Sequence, residues 1–118
     1  MAKYRKYRNL PSVIDNIRFA SQAEGRRYEE LKLLVKAGLI TDLTLQPKYE
    51  LQPKYVAGDG RKVQALSYKG DFRYIDVESG RVVLEDIKRP ETSTVQYRIK
   101  KKLLEKIYYP LTITELDA

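Results

Sequence analysis

Two aspartates and a lysine flank a tight turn in a way that would bring them together on one face of a β-hairpin. Asp71 precedes the turn, and Asp86 and Lys88 follow it. A two-residue turn at Ser79-Gly80 is predicted, because glycine suits the positive φ that such turns need. Side chains alternate along a strand, so this register places Asp71 opposite Lys88 and all three side chains on one face. A turn altered by one residue would separate them.

This arrangement suits a divalent metal ion held beside a phosphodiester. Neighbouring positions on one sheet face lie roughly 5 to 7 Å apart, so the carboxylates of Asp71 and Asp86 can hold one small cation. Lys88 would orient the attacking water and stabilise the developing negative charge. Glu24, in the first turn of a predicted helix, would complete the metal or water shell. The same register pairs Arg73 with Asp86 and places Arg73 on this face too.

Each of these residues also has a purely structural interpretation. Ser21 and Glu24 have the spacing of a helix capping box, which explains Glu24 without catalysis and is compatible with it. Asp71 suits a turn or bulge, and Asp86 and Lys88 suit solvent-facing strand positions. An Asp-x-Lys triplet alone is a weak signal in a chain so rich in charge. The hydrolytic interpretation therefore depends on the shared face, the upstream aspartate and the order of the flanking elements.

The composition limits both the chemistry and the partners. The chain has 118 residues with no histidine and no cysteine, which excludes disulfides, thiolate metal sites and histidine-based acid–base catalysis. A bound metal should then be a hard ion with oxygen ligands, Mg²⁺ or Mn²⁺. The net charge is +7. This charge favours nucleic acid as a partner, and it is equally typical of a solubilising surface.

The distribution of apolar and basic residues predicts the compartment and the contacts with phosphate. No apolar segment approaches the roughly 20 residues of a membrane helix, and no signal peptide is visible, so we expect an intracellular protein. Residues 1–10 predict a flexible basic arm, and residues 11–118 a single domain. The candidate phosphate contacts are Lys3, Arg5, Lys6, Arg8, Arg98, Lys100 and Lys102.

Local signals predict the elements in the first part of the chain. Asp15-Asn16 predicts the turn of a small hairpin. Ser21 is a typical cap for a helix over about 22–37, and Gly38 is a typical stop signal.

The rest of the chain predicts strands around a second helix. An extended segment over 43–51 and a hairpin region over roughly 62–88 precede this helix, and residues 111–116 alternate as a last strand. Thr92 or Ser93 is the expected cap. The stripe expected to be buried consists of Ile99, Leu103 and Ile107. After the small hairpin the order is therefore α-β-β-β-α-β.

This order and the candidate site together resemble the PD-(D/E)XK nuclease superfamily. The pattern is Glu24, then Asp71, then Asp86-Ile87-Lys88. Four segments resemble more closely a phage and prophage branch that was long catalogued as a domain of unknown function and is related to Holliday-junction resolvases: 17–24, 45–47, 70–74 and 85–88. Gly70 replaces the typical proline and Asp86 the commoner glutamate, and neither departure removes a carboxylate.

The resemblance implies a fold and an activity. The fold would be α/β, with an αβββαβ restriction-endonuclease-like core, a mixed central sheet flanked by helices, and a small N-terminal hairpin. Glu24, Asp71, Asp86 and Lys88 would be catalytic, and the three acids would bind Mg²⁺ or Mn²⁺. The protein would be an endonuclease for branched or recombination-intermediate DNA, such as a Holliday junction, in the cytoplasm of a bacterial host. Paired cuts would require a homodimer.

Two other interpretations compete with this one. A non-catalytic nucleic-acid-binding accessory protein would use the basic arm and the ten tyrosines. An RNase-H-like nuclease also uses carboxylates and metal, but that fold has no strand lysine two residues after an acid, so Lys88 argues against it.

Overall fold

The computed structural model describes residues 10–88 and 94–118. Lys3, Arg5, Lys6 and Arg8 of the predicted arm lie outside the described residues, as do the predicted caps Thr92 and Ser93. In chain order the elements are β1 (Ser12–Ile14), β2 (Ile17–Phe19), α1 (Gln22–Lys36), β3 (Ile40–Leu45), β4 (Lys48–Gln52), β5 (Tyr55–Val56), β6 (Lys62–Val63), β7 (Leu66–Lys69), β8 (Phe72–Asp76), β9 (Val82–Lys88), α2 (Val95–Ile107) and β10 (Ile113–Asp117).

A mixed four-stranded sheet forms the centre of the domain, in the order β10-β9-β8-β3. β3, β8 and β9 are antiparallel neighbours, whereas β10 returns after α2 and lies parallel to β9. The predicted α/β domain with a mixed sheet and two helices is therefore confirmed. The sheet and helices follow the order α1-β3-β8-β9-α2-β10, with the antiparallel pair β4–β7 and the short pair β5–β6 inserted between β3 and β8.

The two described helices pack on opposite faces of this sheet. Tyr28 and Leu31 of α1 form a buried cluster with Phe72 of β8. Leu84 of β9 points the other way and joins Leu104 of α2 in a second cluster. Neither helix is long and apolar enough to cross a membrane.

The predicted elements at the N-terminal end of the described chain are confirmed. Asp15 and Asn16 adopt φ values of 53° and 63° between β1 and β2, the left-handed conformation that two-residue hairpin turns require. Ser21 is the N-cap of α1, and its hydroxyl accepts a hydrogen bond from the Glu24 N–H at 3.2 Å. Gly38 follows the helix with a φ of 78°.

The predicted extended segment over 43–51 is two strands. Gln46 has a φ of 50°, and Pro47 lacks the N–H that would continue the ladder. β3 therefore ends at Leu45, and β4 starts at Lys48 and pairs with β7 outside the central sheet. This two-stranded ribbon forms a wall beside the sheet.

The loop between β8 and β9 is longer than predicted. The Asp76 carboxylate accepts hydrogen bonds from the Ser79 N–H at 2.9 Å and the Ser79 hydroxyl at 2.7 Å, and the Gly80 N–H donates to the Asp76 carbonyl at 2.7 Å. Residues 77–80 form the connection, so the predicted two-residue turn at Ser79-Gly80 is wrong. The aspartate side chain favours the longer loop because it satisfies donors inside it.

The predicted pairing of β8 with β9 is wrong by two residues. Phe72 pairs with Glu85, so Asp71 comes opposite Asp86 rather than Lys88. A shift of two residues preserves the alternation of faces. The predicted common face therefore survives the error in the register.

α2 buries a different stripe from the predicted one. Its N-cap is Thr94, not Thr92 or Ser93, and its buried residues are Tyr97 and Leu104. The residues predicted to be buried, Ile99, Leu103 and Ile107, are exposed. Both stripes have helical spacing, so the spacing alone does not select one of them. In the observed orientation of α2 the Tyr97 ring contacts the Tyr68 ring on the ribbon.

Candidate active site

The backbone around Asp71 is fixed at the start of β8. Its N–H donates to the Glu85 carbonyl at 3.0 Å, and its carbonyl accepts from the Gln46 N–H at 2.9 Å. A Cβ on Gly70 would lie 2.8 Å from the Leu84 side chain, so the close approach of β9 requires glycine there. The Asp71 side chain thus leaves a rigid position at the junction of ribbon and sheet.

Three carboxyl groups and one ammonium group meet at this junction, which we call the acidic site: Glu24, Asp71, Asp86 and Lys88. Asp71 lies close enough to Glu24 of α1 and to Asp86 of β9 for both carboxyl groups to affect its pKa. Its Oδ2 accepts from the Ile87 N–H at 2.7 Å. Lys88 Nζ lies 3.5 Å from Asp86 Oδ2. The four residues predicted to be catalytic are therefore neighbours.

Burial dominates the electrostatics of this site. It raises the pKa of Asp71 to about 7, and the hydrogen bond and charge of Glu24 act in the same direction. Burial also raises the pKa of Asp86 to about 6, opposed by the Tyr68 hydroxyl and reinforced by the Asp71 charge. Protons therefore remain on the site near neutral pH, and a divalent cation would compete with them.

Glu24 is the residue whose role the sequence left open between cap and ligand. Its N–H makes the predicted capping bond to Ser21, but its side-chain Oε2 is buried and has no hydrogen-bond partner among the described residues. Buried carboxylate oxygens are usually hydrogen-bonded, so this oxygen is available to a water or a cation. The Glu24 N–H therefore takes part in the helix cap, while the Glu24 side chain lies in the acidic site.

The acidic groups do not form a closed metal cage as they stand. Within residues 10–88 and 94–118, no group of three or more acidic side chains is arranged to hold a metal ion. Asp86 Oδ2 accepts from the Tyr68 hydroxyl and faces Lys88, and Asp71 Oδ2 accepts from Ile87. Glu24 Oε2 is buried and accepts no hydrogen bond from the described residues, so it is an oxygen available to a metal ion.

Two tyrosines belong to the site although the sequence did not single them out. The Tyr68 hydroxyl donates to Asp86 Oδ2. Lys88 Nζ lies 3.5 Å from the centroid of the Tyr97 ring, a cation–π contact that holds the ammonium group. Tyr68 comes from the ribbon and Tyr97 from α2, so no local pattern connects them with Asp86.

Glu85 faces away from the acidic site, as the alternation along β9 predicts. Its side chain is 1% exposed. Arg27 Nε and Nη2 donate to its two oxygens at 2.8 and 2.6 Å, and the Tyr74 hydroxyl donates as well. Glu85 is therefore neutralised on the α1 side of the sheet, and Asp86 alone of the pair joins the site.

A cleft of about 680 Å³ opens over Asp86 and Lys88. Three further lysines line this cleft, which we call the lysine cleft: Lys48, Lys69 and Lys100. Lys48 and Lys69 are cross-strand partners on the ribbon, which the sequence analysis missed because it did not pair β4 with β7. Cations of this density favour a polyanionic ligand.

The remaining predicted cations lie elsewhere. Arg98 and Lys102 line a smaller cleft of about 300 Å³ that also contains Glu105 and Glu115. Arg73 pairs with Leu84 and lines a further cleft on the same sheet face, so its predicted pairing with Asp86 is wrong. Of the candidate phosphate contacts on α2, Lys100 is the one that lines the lysine cleft.

Comparison with known families places the chain. A family model described as a protein of unknown function, DUF1064, matches residues 4–116. The chain belongs to the DUF1064 family. No curated protein and no solved structure matches it. The match covers all four residues of the acidic site, and its description gives no activity.

Proposed function

We propose that this protein is a metal-dependent endonuclease that hydrolyses phosphodiester bonds in DNA. The observation that carries the proposal is the contact series from Glu24 through Asp71 and Asp86 to Lys88, at the base of the lysine cleft. Acidic ligands beside an ammonium group suit hydrolysis at a phosphate centre. The cleft lysines suit a substrate with several phosphates.

Glu24, Asp71 and Asp86 are the residues that would hold Mg²⁺ or Mn²⁺. They offer hard oxygen donors, and the buried Glu24 Oε2, which has no hydrogen-bond partner among the described residues, suits a cation ligand. A bound divalent ion of this kind makes a water more nucleophilic at neutral pH and offsets negative charge on the phosphate.

Lys88 is the proposed electrostatic partner of the phosphate. Its ammonium group is held between the Asp86 carboxylate and the Tyr97 ring and lines the cleft. A positioned cation of this kind stabilises negative charge as it develops on phosphate oxygens and orients the attacking water. Lys48, Lys69 and Lys100 would hold neighbouring phosphates of the same strand.

The sequence resemblance supports the finer parts of the proposal. They are a PD-(D/E)XK type of mechanism, branched or recombination-intermediate DNA of phage origin as substrate, action as a homodimer, and the cytoplasm of a bacterial host as location. A non-catalytic nucleic-acid-binding accessory protein is the second candidate, favoured by the lysine cleft, which binds phosphates without needing the carboxylates.

The test is cleavage of linear, flap and four-way-junction DNA by the purified protein. We expect nicking with Mg²⁺ or Mn²⁺ that EDTA abolishes and that Asp86→Asn lowers about 100-fold or more. Glu29→Gln is the matched control, because Glu29 is an exposed carboxylate on α1 that lies outside the acidic site. Cleavage unchanged by Asp71→Asn and Asp86→Asn would refute the mechanism, and binding without any cleavage would favour the accessory protein.

A further inference from the structure

A second large cleft, of about 630 Å³, lies on the face of the central sheet that carries the acidic site. We call it the tyrosine cleft. Arg73 lines it and, by alternation along β8, points to the same side as Asp71. The residues that define its character are Tyr49, Arg73, Arg81, Tyr108, Pro110 and Leu111.

One wall of the tyrosine cleft is aromatic and held in place. The rings of Tyr49 and Tyr108 meet edge to face, with centroids 5.0 Å apart and an interplanar angle of 72°. The Tyr108 hydroxyl donates to the Glu50 carbonyl at 2.7 Å, which fixes that ring. Pro110 and Leu111 extend the apolar surface. Such a wall suits a flat ring better than a flexible chain.

The charged side chains that line the cleft are both cationic. Arg73 and Arg81 line it, none of the described residues around it is acidic, and neither guanidinium group has an ion pair among the described residues. Two guanidinium groups suit a phosphate.

We propose that the tyrosine cleft binds one nucleotide of a single-stranded nucleic acid. The base packs against the Tyr49 and Tyr108 wall, while its phosphate lies on Arg73 and Arg81. Stacking and a guanidinium-bound phosphate are the two means by which proteins hold unpaired strands. This inference goes beyond the proposed hydrolysis and stands without it, since none of these residues belongs to the acidic site.

The test is fluorescence anisotropy with a labelled eight-nucleotide thymidine strand, dT8, measured in EDTA so that metal-dependent cleavage plays no part. We expect the double variant Arg73→Gln/Arg81→Gln to bind dT8 about tenfold more weakly. The slope of log K against log salt concentration should become shallower by about 0.7, the value for one lost phosphate contact on a single strand. Arg18→Gln/Arg26→Gln, which removes equal charge outside both clefts, should change affinity less than about twofold.

A strand with abasic positions in place of the bases tests the aromatic wall. The wild-type protein should bind it about tenfold more weakly than dT8. Tyr49→Leu removes one ring of the wall and should weaken binding of dT8 a few-fold while leaving binding of the abasic strand unaffected. Equal losses in the two double variants, equal binding of dT8 and the abasic strand, or binding of free dTMP as tight as that of dT8 would each overturn the assignment to a nucleic-acid strand.

Discussion

Asp71 explains how three carboxyl groups can lie together beside the one ammonium group of Lys88. Neighbouring carboxylates repel each other when all are ionised, and a proton on Asp71, whose pKa is raised to about 7, relieves this repulsion. The folded-state pKa of Asp71 lies above its usual value. Its stabilising contribution is therefore complete at acid pH, below about 4, and is lost as the pH rises through about 7. At pH 8 the metal-free acidic site should destabilise the fold.

Asp71→Asn should therefore raise the melting temperature of the metal-free protein at pH 8, by about 5 °C. The amide removes the buried charge, and its oxygen still accepts from the Ile87 N–H that Asp71 Oδ2 binds at 2.7 Å. Thermal unfolding followed by circular dichroism in EDTA measures the shift. Asp76→Asn is the control of opposite sign, because hydrogen bonds from Ser79 lower the pKa of Asp76. A fall in melting temperature for both variants would contradict the electrostatic account of the acidic site.

At the scale of elements, features that depend on neighbouring residues were predicted correctly, whereas contacts between distant segments were not predicted. The turn at Asp15-Asn16 and the cap at Ser21 each depend on neighbouring residues, and both were predicted correctly. The β8–β9 register was wrong because the Asp76 side chain selects a longer loop. The common face of Asp71, Asp86 and Lys88 was predicted from alternation along the strands, and Glu24 was added from its position in the first turn of a helix. Tyr68 was missed because the inserted ribbon places it beside Asp86.

α2 offers a matched pair of leucines that tests its orientation. Leu104 is 0% exposed and Leu103 is 39% exposed. Leu104→Ala should lower the free energy of unfolding by about 3 kcal/mol, since it opens a cavity between helix and sheet. Leu103→Ala should cost less than about 1 kcal/mol. Urea unfolding of both variants measures the difference, and a larger loss for Leu103→Ala would mean that the sequence-predicted stripe of Ile99, Leu103 and Ile107 is the buried one.

At the scale of the molecule, one face of the central sheet packs against α1 to form a core, and the other face carries the lysine cleft. On the α1 side, Glu85 is paired with Arg27 among aromatic core residues. On the α2 side, Asp86, the next residue along β9, lines the lysine cleft. α2 leaves an apolar stripe exposed beside these clefts, formed by Val95, Ile99, Leu103 and Ile107. The expected homodimer stays a prediction, and this stripe is where its interface would be sought.

The last prediction couples metal, protons and the stability of the whole domain. About 10 mM Mg²⁺ or Mn²⁺ should raise the melting temperature at pH 8, because a ligand that binds only the folded state stabilises it by mass action. The gain should shrink at pH 6 and vanish near pH 5. Asp71 and Asp86, with pKa values of about 7 and 6, then hold protons that the cation has to displace.

Two variants decide whether this gain belongs to the acidic site. Glu24→Gln removes the negative charge of the carboxylate whose Oε2 is buried without a partner among the described residues. It should reduce the metal-induced rise in melting temperature at pH 8. Glu29→Gln should keep the shift, because Glu29 is exposed on the same helix and lies outside the acidic site. An equal shift at pH 5 and pH 8, or a full shift in the double variant Asp71→Asn/Asp86→Asn, would place the cation elsewhere on the surface. The acidic site would then not be a metal site. The lysine cleft would still support binding of nucleic acid without cleavage.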